Sequence, residues 1–456
     1  MEHSYDLIVI GGGPAGGAVA SPCSEAGLSV AMLEKDAFGG VCPLRGCNPK
    51  KVLLGPAELR AAVRHLAPNG LEGELRVNWP QLMDFVHSFT RPVPDAAENA
   101  YQMKGIETYH GAARFLDAHR VQVGEDVLHG KYIAICTGRV PRPVSFSEVG
   151  PLPTSNEFLE LEELPRRIAC IGGGVVALEL ASLALHAGAT VHLLHRSERL
   201  LRGLDLDCVT ALVEALGQAG MDIRINTSVL SVTPTADGLL VVFDQDGTEQ
   251  AVMVDALFNF AGREADVAGL DLAAAGLQEA TPGAFRAGLP VTPTMQTAQP
   301  HLFAAGDCAA TPFNLTPSAS LEGAVTAANI IALHQGQPLQ TVDYRGIPSV
   351  CFSIPPVASV GLSQAQAEAD GVPHRVKTYN LANSFPWKRL GEHAGLSKVI
   401  LDEDGDRLLG AHLVGHNAEE MINTLALAIR AQVPLSALRQ AVWVYPTCGY
   451  YLKYLL

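Results

Sequence analysis

Two cysteines stand five positions apart in the segment GGVCPLRGCNPKK, which covers residues 39–51. In an ideal α-helix, five residues give a rise of about 7.5 Å and a rotation of about 140°, so the side chains of Cys42 and Cys47 would diverge. A disulfide needs Cα atoms roughly 4.4–6.8 Å apart and converging Cβ atoms. The glycines and the proline of this segment allow the backbone to deform accordingly.

The pair could serve as packing residues, as metal ligands or as a redox-active disulfide. A structural zinc site needs four ligands, and no second cysteine pair or histidine cluster completes such a set, so we expect no metal. We favour the disulfide, and its deformed turn should make it easier to reduce than a structural bridge.

The remaining cysteines have an ordinary explanation. The chain contains nine cysteines, an odd number scattered over 456 residues, which is not typical of a secreted disulfide framework. Cys136 in KYIAICTG and Cys170 in RRIACIGGG lie in strand-like apolar runs, where a thiol packs as a small apolar residue. Most of the cysteines should therefore be reduced.

A glycine-rich turn follows the first apolar run. The stretch YDLIVIGGGPAGGAVA predicts a buried strand, a turn and a helix, and LSVAMLEK predicts a second strand. Gly11, Gly13 and Gly16 have the spacing that permits a tight turn and close approach of the backbone to a pyrophosphate. Glu34 ends the second strand, where a carboxylate can accept hydrogen bonds from ribose hydroxyls. We expect a dinucleotide site here.

The same order of elements returns in RRIACIGGGVVALELASLALHAGATVHLLHR, residues 166–196. Gly172, Gly174 and Ala177 form the turn of this second unit. A second strand-helix-strand unit of this kind implies a second dinucleotide site.

The second unit differs from the first at the end of its second strand. His195 stands where an acid would bind the ribose, and Arg196, Arg199 and Arg202 follow it. A carboxylate would repel the 2′-phosphate of NADP, whereas guanidinium groups bind it. The segment therefore favours NADPH over NADH. The alternative is a surface loop whose arginines only face solvent.

The composition limits the partners. A formal net charge of −15 would repel nucleic-acid phosphates and anionic lipids, so we expect neither nucleic acid nor membrane as a partner. No window of about 18 uninterrupted apolar residues predicts a transmembrane helix, and MEHSYDLIVIGGG does not resemble a signal or transit peptide. We expect a cytoplasmic protein whose partners are small molecules or other proteins.

Several segments are similar to the flavin-dependent pyridine nucleotide-disulfide oxidoreductases, the family of dihydrolipoamide dehydrogenase, glutathione reductase and mercuric reductase. GGVCPLRGCNPKK resembles the redox-active segment, ICTGRVPRP the turn that leaves the first flavin segment, and FAGREAD the crossing back to the flavin domain. PHLFAAGDCA resembles the second flavin motif, LTPSASLEGAVTAANI the helix near the flavin, and YPT the interface loop. The similarity covers nearly the whole chain.

The resemblance implies a homodimer that binds FAD and NADPH. Asp307 would bind the ribityl chain of the flavin. Further cofactor-binding positions in the matching motifs would be Lys35, Gly40, Thr137, Gly138, Gly262, Arg263 and Gly306.

The predicted fold class is α/β, with two Rossmann-like dinucleotide-binding domains, for FAD and NAD(P), and a C-terminal α+β dimerisation domain. We assign residues 1–147 to the first part of the FAD-binding domain and residues 148–262 to the NAD(P)-binding domain. Residues 263–340 would form the second, central part of the FAD-binding domain, and residues 341–456 the dimerisation domain.

The resemblance also implies roles for the redox pair. NADPH would reduce FAD on one face, and the flavin would pass electrons to the disulfide on its other face. Cys47 would form the charge-transfer thiolate, and Cys42 would attack the substrate. Lys51 lies one helical turn beyond Cys47 and could place positive charge near flavin N5. Glu179 in ALELA matches the acid that pairs with this lysine; the alternative is an incidental lysine and glutamate.

The C-terminal segment VWVYPTCGYYLKYLL departs from the family pattern. Most members carry His-Pro-Thr and, five residues after the His, a Glu; this dyad from the other subunit acts as a general base. Tyr445 and Tyr450 stand at these two positions. A phenol with a pKa near 10 is a poor proton shuttle at neutral pH. Cys448 could supply a third thiol for a relay, or it could simply fill an interface.

The expected function is reduction of a disulfide-type substrate by NADPH through FAD and the Cys42–Cys47 disulfide. One alternative is reduction of a metal ion, a quinone or another non-disulfide acceptor that needs no histidine base. The other is a redox-sensing subunit that does not turn over. Glutathione is disfavoured because Ser21 replaces the arginine that holds it in its reductase, and Pro22 should kink the helix there.

Overall fold

The computed structural model describes all 456 residues, and the chain separates into two compact units. Each unit is assembled from three segments that are distant in sequence. The first unit contains Met1–Lys51, Asp84–Arg142 and Arg263–Tyr344, and the second contains Val52–Met83, Pro143–Gly262 and Arg345–Leu456. The finer division into four consecutive segments stays a prediction.

The chain contains runs of helices, runs of strands and two alternating strand-helix-strand units. The helices are α1 (Pro14–Glu25), α2 (Val41–Arg45), α3 (Cys47–Leu66), α4 (Trp79–Thr90), α5 (Val93–Gln102), α6 (Ser155–Phe158), α7 (Val175–Ala187), α8 (Leu206–Gln218), α9 (Thr316–Gln335), α10 (Gln364–Ala369), α11 (Phe385–Lys388), α12 (Ala418–Arg430), α13 (Leu435–Gln440) and α14 (Leu452–Leu455). Short 3-10 helices cover Ala67–Asn69, Ala284–Ala287, Leu381–Asn383 and Gly449–Tyr451.

The strands are between two and ten residues long. They are β1 (Glu2–Ile10), β2 (Val30–Glu34), β3 (Glu107–His110), β4 (Ala113–Phe115), β5 (Arg120–Val123), β6 (Asp126–Ile135), β7 (Arg139–Pro141), β8 (Ser145–Phe146), β9 (Gly150–Pro151), β10 (Arg167–Ile171), β11 (Thr190–Leu194), β12 (Asp222–Arg224), β13 (Thr227–Thr235), β14 (Gly238–Gln245), β15 (Thr248–Val254), β16 (Ala256–Asn259), β17 (Arg263–Ala265), β18 (Leu302–Ala304), β19 (Ser349–Cys351), β20 (Val357–Gly361), β21 (His374–Asn380), β22 (Gly395–Asp402) and β23 (Leu408–Gly415).

A seven-stranded sheet forms the centre of the first unit. Strands β3, β2, β1 and β6 run parallel in that order, and β18 is parallel to the second half of β6. Strands β5 and β4 continue the sheet antiparallel from the first half of β6. Leu7, Ile8 and Val9 of β1 are completely buried, as expected for a strand with parallel neighbours on both sides. Helix α1 packs against β1 and α9, and it continues past Pro22 to Glu25.

The second unit contains another parallel sheet and two antiparallel sheets. Strands β12, β11, β10 and β16 are parallel, with α7 joining β10 to β11. Strands β13 to β15 form an antiparallel meander. The C-terminal sheet has the order β19-β20-β23-β22-β21, is antiparallel, and packs against α12. The predicted fold class, two Rossmann-like folds and a C-terminal α+β domain, is confirmed.

The helices show no candidate for a membrane span, because none is both long enough and apolar enough to cross a bilayer.

The first glycine turn provides a test of close packing. A Cβ atom at Gly16 would lie 1.9 Å from the backbone oxygen of Gly11, whereas a Cβ at Gly217 of α8 would meet nothing within 4 Å. We expect Gly16→Ala to lower the free energy of unfolding by about 3 kcal/mol or more, because backbone must move. Gly217→Ala should raise it by about 0.5–1 kcal/mol, because alanine favours the helix. Urea unfolding followed by circular dichroism checks both variants, and similar effects at the two positions would contradict this packing.

Candidate active site

Cys42 and Cys47 lie on either side of a break between α2 and α3. Helix α2 starts after Gly40 and ends before Gly46, whose φ of −145° and ψ of −105° are not helical. Cys47 is the first residue of α3. The backbone deformation that the spacing of Cys42 and Cys47 requires is therefore located at Gly46, where a straight helix would have separated the side chains.

Both thiols are free and hydrogen-bond to each other beside Thr316, the first residue of α9. The hydroxyl of Thr316 lies 3.5 Å from Cys47 Sγ and also hydrogen-bonds to Cys42. The hydrogen bond from Cys42 lowers the pKa of Cys47 to about 6 against the effect of burial, helped by Thr316 and by the charges of Lys50 and Lys51. The same thiol contact, together with burial, raises the pKa of Cys42. At neutral pH the reduced pair thus holds a thiolate at Cys47 and a thiol at Cys42.

The first glycine turn forms a cradle at the N-terminus of α1. Gly11 has a φ of 116°, and a Cβ there would lie 2.3 Å from the backbone oxygen of Cys136. Gly13 is the N-cap of α1 and offers no side-chain cap, and a Cβ at Gly40 would lie 2.7 Å from its Cα. The backbone N–H groups of this helix start can therefore bind a pyrophosphate. Glu34 accepts a hydrogen bond from the N–H of Gly12 at 2.9 Å and keeps acceptor capacity for a ribose.

A second loop of the first unit carries Gly306 and Asp307. Gly306 has a φ of 75°, and its N–H donates to Oε2 of the buried Glu322 on α9 at 2.8 Å. Burial raises the pKa of the Asp307 carboxyl, and the charges of Arg139 and Arg263 oppose that shift. Arg139 Nε also donates to the backbone oxygen of Asp307 at 2.8 Å. The N-terminus of α1 and the fixed carboxyl of Asp307 together provide groups that fit a bound FAD.

The other predicted flavin contacts of the first unit are Lys35, Thr137, Gly138 and Arg263. Thr137 and Gly138 follow β6, and the oxygen of Gly138 accepts a hydrogen bond from the N–H of Asp266. The ammonium of Lys35 pairs with the Asp266 carboxylate at 2.5 Å, so its charge is already engaged within the protein. Arg263 begins β17, pairs with β7 and donates to the backbone oxygen of Arg139.

The second glycine turn has the same construction. Gly172 has a φ of 144°, and a Cβ there would lie 2.4 Å from the backbone oxygen of Phe260. Gly174 is the N-cap of α7, without a side-chain cap, and Ala177 is completely buried. Gly262, which also lies in this unit, has a φ of 115° that favours glycine.

His195 lies against the second glycine turn. A Cβ at Gly173 would come within 2.5 Å of its ring, and Nε2 of the ring lies 3.2 Å from the backbone oxygen of Arg199. Burial lowers the pKa of His195, and the charges of Arg202 and Arg196 act in the same direction, so the ring is neutral at pH 7. Arg196 and Arg202 are both exposed.

The guanidinium of Arg199 donates to the backbone oxygen of Leu204 at 2.7 Å. Arg199 therefore shapes the loop, whereas its two exposed neighbours can meet a ligand.

Glu179 is buried in α7, and its Oε1 accepts a hydrogen bond from the N–H of Phe352 at 2.7 Å. Lys51 belongs to the first unit and Glu179 to the second. Their predicted pairing stays a prediction.

The C-terminal segment presents phenols in place of the family dyad. Tyr445 is 61% exposed, and its ring lies edge-on to that of Tyr450 at 4.9 Å between centroids. Lys453 Nζ lies 3.7 Å from the ring centroid of Tyr450, and its hydrogen bond lowers the pKa of that phenol. Cys448 is buried, its Sγ accepts a hydrogen bond from Asn417, and burial raises its pKa. This environment favours a packing role for Cys448, and the relay stays a prediction.

Three residues of the site were not identified from the sequence. Thr316 and Glu322 lie within LTPSASLEGAVTAANI, but Thr316 is 269 residues away from Cys47 in the chain, and no local pattern connects them. Lys50 could have been found, because it lies three residues after Cys47 and shares a helix face with it.

Known proteins are similar to this chain over nearly its whole length. The sequence matches the pyridine nucleotide-disulphide oxidoreductase family over residues 5–328 and the dimerisation domain of that family over residues 347–454. The chain therefore belongs to the pyridine nucleotide-disulphide oxidoreductase family. As a member it is a flavin-dependent oxidoreductase that acts on sulfur groups, uses FAD and a pyridine nucleotide, and has a redox-active disulfide centre.

Relatives with different named activities are similar over nearly the full chain. Dihydrolipoyl dehydrogenase of Chlamydia muridarum is 30% identical over 98% of this chain and 95% of its own length. Glutathione reductase of Nostoc sp. is 29% identical over 98% of both chains. Mercuric reductase of Staphylococcus aureus is 29% identical over 99% of this chain and 82% of its own.

A solved structure shows the same fold. The HOCl-induced flavoprotein disulfide reductase RclA from Escherichia coli superimposes with a TM-score of 0.84 over 99% of each chain, at 24% sequence identity.

The contact of Thr316 with both thiols predicts a titration effect. Thr316→Val removes a hydroxyl that donates to the Cys47 thiolate, so the pKa of Cys47 should rise by about one, the equivalent of roughly 1.4 kcal/mol. Thr326→Val is a matched control on the same helix, because the Thr326 hydroxyl bonds only to the backbone oxygen of Glu322. Ultraviolet thiolate absorbance of the dithiol protein against pH measures both, and coincident curves for Thr316→Val and the unmodified protein would refute the contact.

Proposed function

We propose that this protein is a homodimeric NADPH-dependent disulfide reductase in which Cys42 and Cys47 form the redox-active pair. The observation that carries this proposal is the thiol pair across the break at Gly46, with a low pKa at Cys47 and a raised pKa at Cys42. A pair with this asymmetry has one sulfur suited to hold charge and another suited to react after it loses its proton.

The chemistry at the two sulfurs follows from this asymmetry. Bound FAD supplies the transfer of an electron pair from the nicotinamide to the Cys42–Cys47 disulfide. Cys42, after losing its proton to a base, attacks one sulfur of a substrate disulfide, and the other substrate sulfur leaves as a thiol. The Cys47 thiolate then attacks Sγ of Cys42 in the mixed disulfide, which restores the protein disulfide and releases the second substrate thiol.

The dimer is supported by exposed apolar side chains near the C-terminus. Val442 is 100% exposed and Val444 is 74% exposed, next to the exposed ring of Tyr445. A contiguous apolar segment of this kind is typical of an interface, and it lies within the matched dimerisation domain. We infer that a second copy of this chain covers it.

The choice of NADPH is supported by His195 and by its two exposed arginine neighbours. A neutral imidazole does not repel a 2′-phosphate, and Arg196 and Arg202 can bind it. The second glycine turn would also bind NADH, but NADH has no 2′-phosphate for the arginines to contact.

Arginine substitutions test the nucleotide preference. Arg196→Ala and Arg202→Ala should each raise the KM for NADPH about tenfold, the equivalent of one charge-assisted contact, and change the KM for NADH by less than about twofold. Arg375→Ala removes an exposed arginine of β21 and should leave both constants unchanged. Stopped-flow reduction of the flavin provides the measurement. Faster reduction of the unmodified enzyme by NADH would contradict the proposal.

A second candidate function follows from the two phenols at the dyad positions. A free phenol has a pKa near 10, so tyrosine is a poor substitute for a histidine base at these two positions. Reduction of an acceptor that needs no histidine base, such as a metal ion or a quinone, is therefore the second candidate, and the named activity of the mercuric reductase relative is of this kind.

An acceptor screen separates the two candidates. NADPH-reduced enzyme should turn over with at least one of glutathione disulfide, lipoamide or a thioredoxin-like protein, and Tyr445→His should increase that rate about tenfold or more by supplying a base. Tyr454→His is the control, because it places a histidine at a neighbouring tyrosine that is at neither dyad position. Turnover with quinones or metal ions, and with no disulfide even in Tyr445→His, would establish the second candidate instead.

A further inference from the structure

The two exposed arginines stand on a short connection between β11 and α8. We name residues 195–204 the arginine loop; Arg196 lies near its start and Arg202 near its end. The side chains of Arg196 and Arg202 are long and exposed. Whether their guanidinium groups can reach a ligand therefore depends on how the backbone of the loop is fixed.

The middle of the arginine loop is attached to the second glycine turn. The N–H of Leu201 donates to the backbone oxygen of Gly173 at 2.8 Å, and the N–H of Leu204 donates to the oxygen of Leu201 at 2.8 Å. Leu200, Leu201 and Leu204 are buried. The loop backbone is therefore fixed at this point, and its arginines face outward.

The end of the arginine loop is attached to the C-terminal sheet. Asp205 directly follows the loop and is the N-cap of α8, where its Oδ1 accepts a hydrogen bond from the N–H of Asp207 at 3.1 Å. Lys398 of β22 reaches it: its Nζ lies 3.3 Å from Asp205 Oδ2 and 2.8 Å from Asp207 Oδ2. Helix α8 packs against β22 and β23 around this contact.

This contact is buried, unlike an ordinary surface ion pair. The side chains of Lys398 and Asp205 are only 6% and 4% exposed. Removing Lys398 takes away the contact that ties Asp205 to β22 and leaves the Asp205 carboxylate buried without its counter-charge. The end of the arginine loop then loses its attachment to the C-terminal sheet.

We propose that Lys398 is a positioning residue for the nucleotide: by fixing Asp205, it sets where Arg202, which lies between Leu201 and Asp205, meets a 2′-phosphate. The C-terminal domain thereby contributes to nucleotide selectivity without touching the nucleotide. This inference rests on the proposed preference for NADPH.

The test compares two ligands that differ only in the 2′-phosphate, 2′,5′-ADP and 5′-AMP, by calorimetric titration of the flavin-loaded dimer. Lys398→Met should weaken the binding of 2′,5′-ADP about tenfold and that of 5′-AMP by less than about twofold. A purely structural role would weaken both ligands alike, so the ratio of the two dissociation constants is the diagnostic quantity.

Lys377→Met is the matched control. Lys377 is a lysine of β21 in the same sheet, but its Nζ bonds to the backbone oxygen of Leu456 at 2.7 Å. This variant should leave the ratio unchanged. If Lys398→Met does not fold, the double variant Lys398→Met with Asp205→Asn removes both buried charges and retains a capping oxygen. It should show the same selective weakening of 2′,5′-ADP binding, because no lysine of β22 anchors the asparagine.

The outcomes separate this inference from the proposed function. An unmodified protein that binds 5′-AMP as tightly as 2′,5′-ADP would refute the NADPH preference, and this inference with it. A clear preference in the unmodified protein that persists undiminished in folded Lys398→Met and in the double variant would overturn only the role of Lys398. Equal weakening of both ligands would also overturn that role.

Discussion

The break at Gly46 is the constraint on which the proposed chemistry depends. It turns two residues that a straight helix would separate into a thiol pair, and it places Cys47 at the start of α3. The first turn of that helix and its lysines then favour a thiolate, while Thr316 contacts both sulfurs. If the same sequence formed one continuous helix from Val41 onward, the two thiols would not be paired.

Both proposed nucleotide sites have the same construction, in which glycine lets the backbone come close to a ligand. At Gly11 and at Gly172, a side chain would collide with a backbone oxygen of a neighbouring loop, so the helix start behind each turn stays accessible. The sites differ in the residue that ends the second strand. Glu34 can accept hydrogen bonds from a ribose, whereas the exposed arginines that follow His195 are proposed to bind a phosphorylated ribose.

Most of the fold could be predicted from the sequence because its signals are local. The glycine turns, the apolar strands and the cysteine spacing each occupy a few consecutive residues, and the predicted fold class and family are confirmed. Contacts between distant segments could not be predicted in this way. No pattern near Cys47 indicates Thr316, no pattern near Asp205 indicates Lys398, and the pairing of Lys35 with Asp266 depends on where the chain returns to the first unit.

The central claim is that electrons from NADPH arrive at Cys42 and Cys47. Counting thiols in the denatured protein, before and after anaerobic addition of a stoichiometric amount of NADPH to the oxidised enzyme, measures this directly. The account predicts two additional thiols, which alkylation and mass spectrometry assign to Cys42 and Cys47. A reduced flavin with no gain of thiols, or a gain at other cysteines, would contradict it.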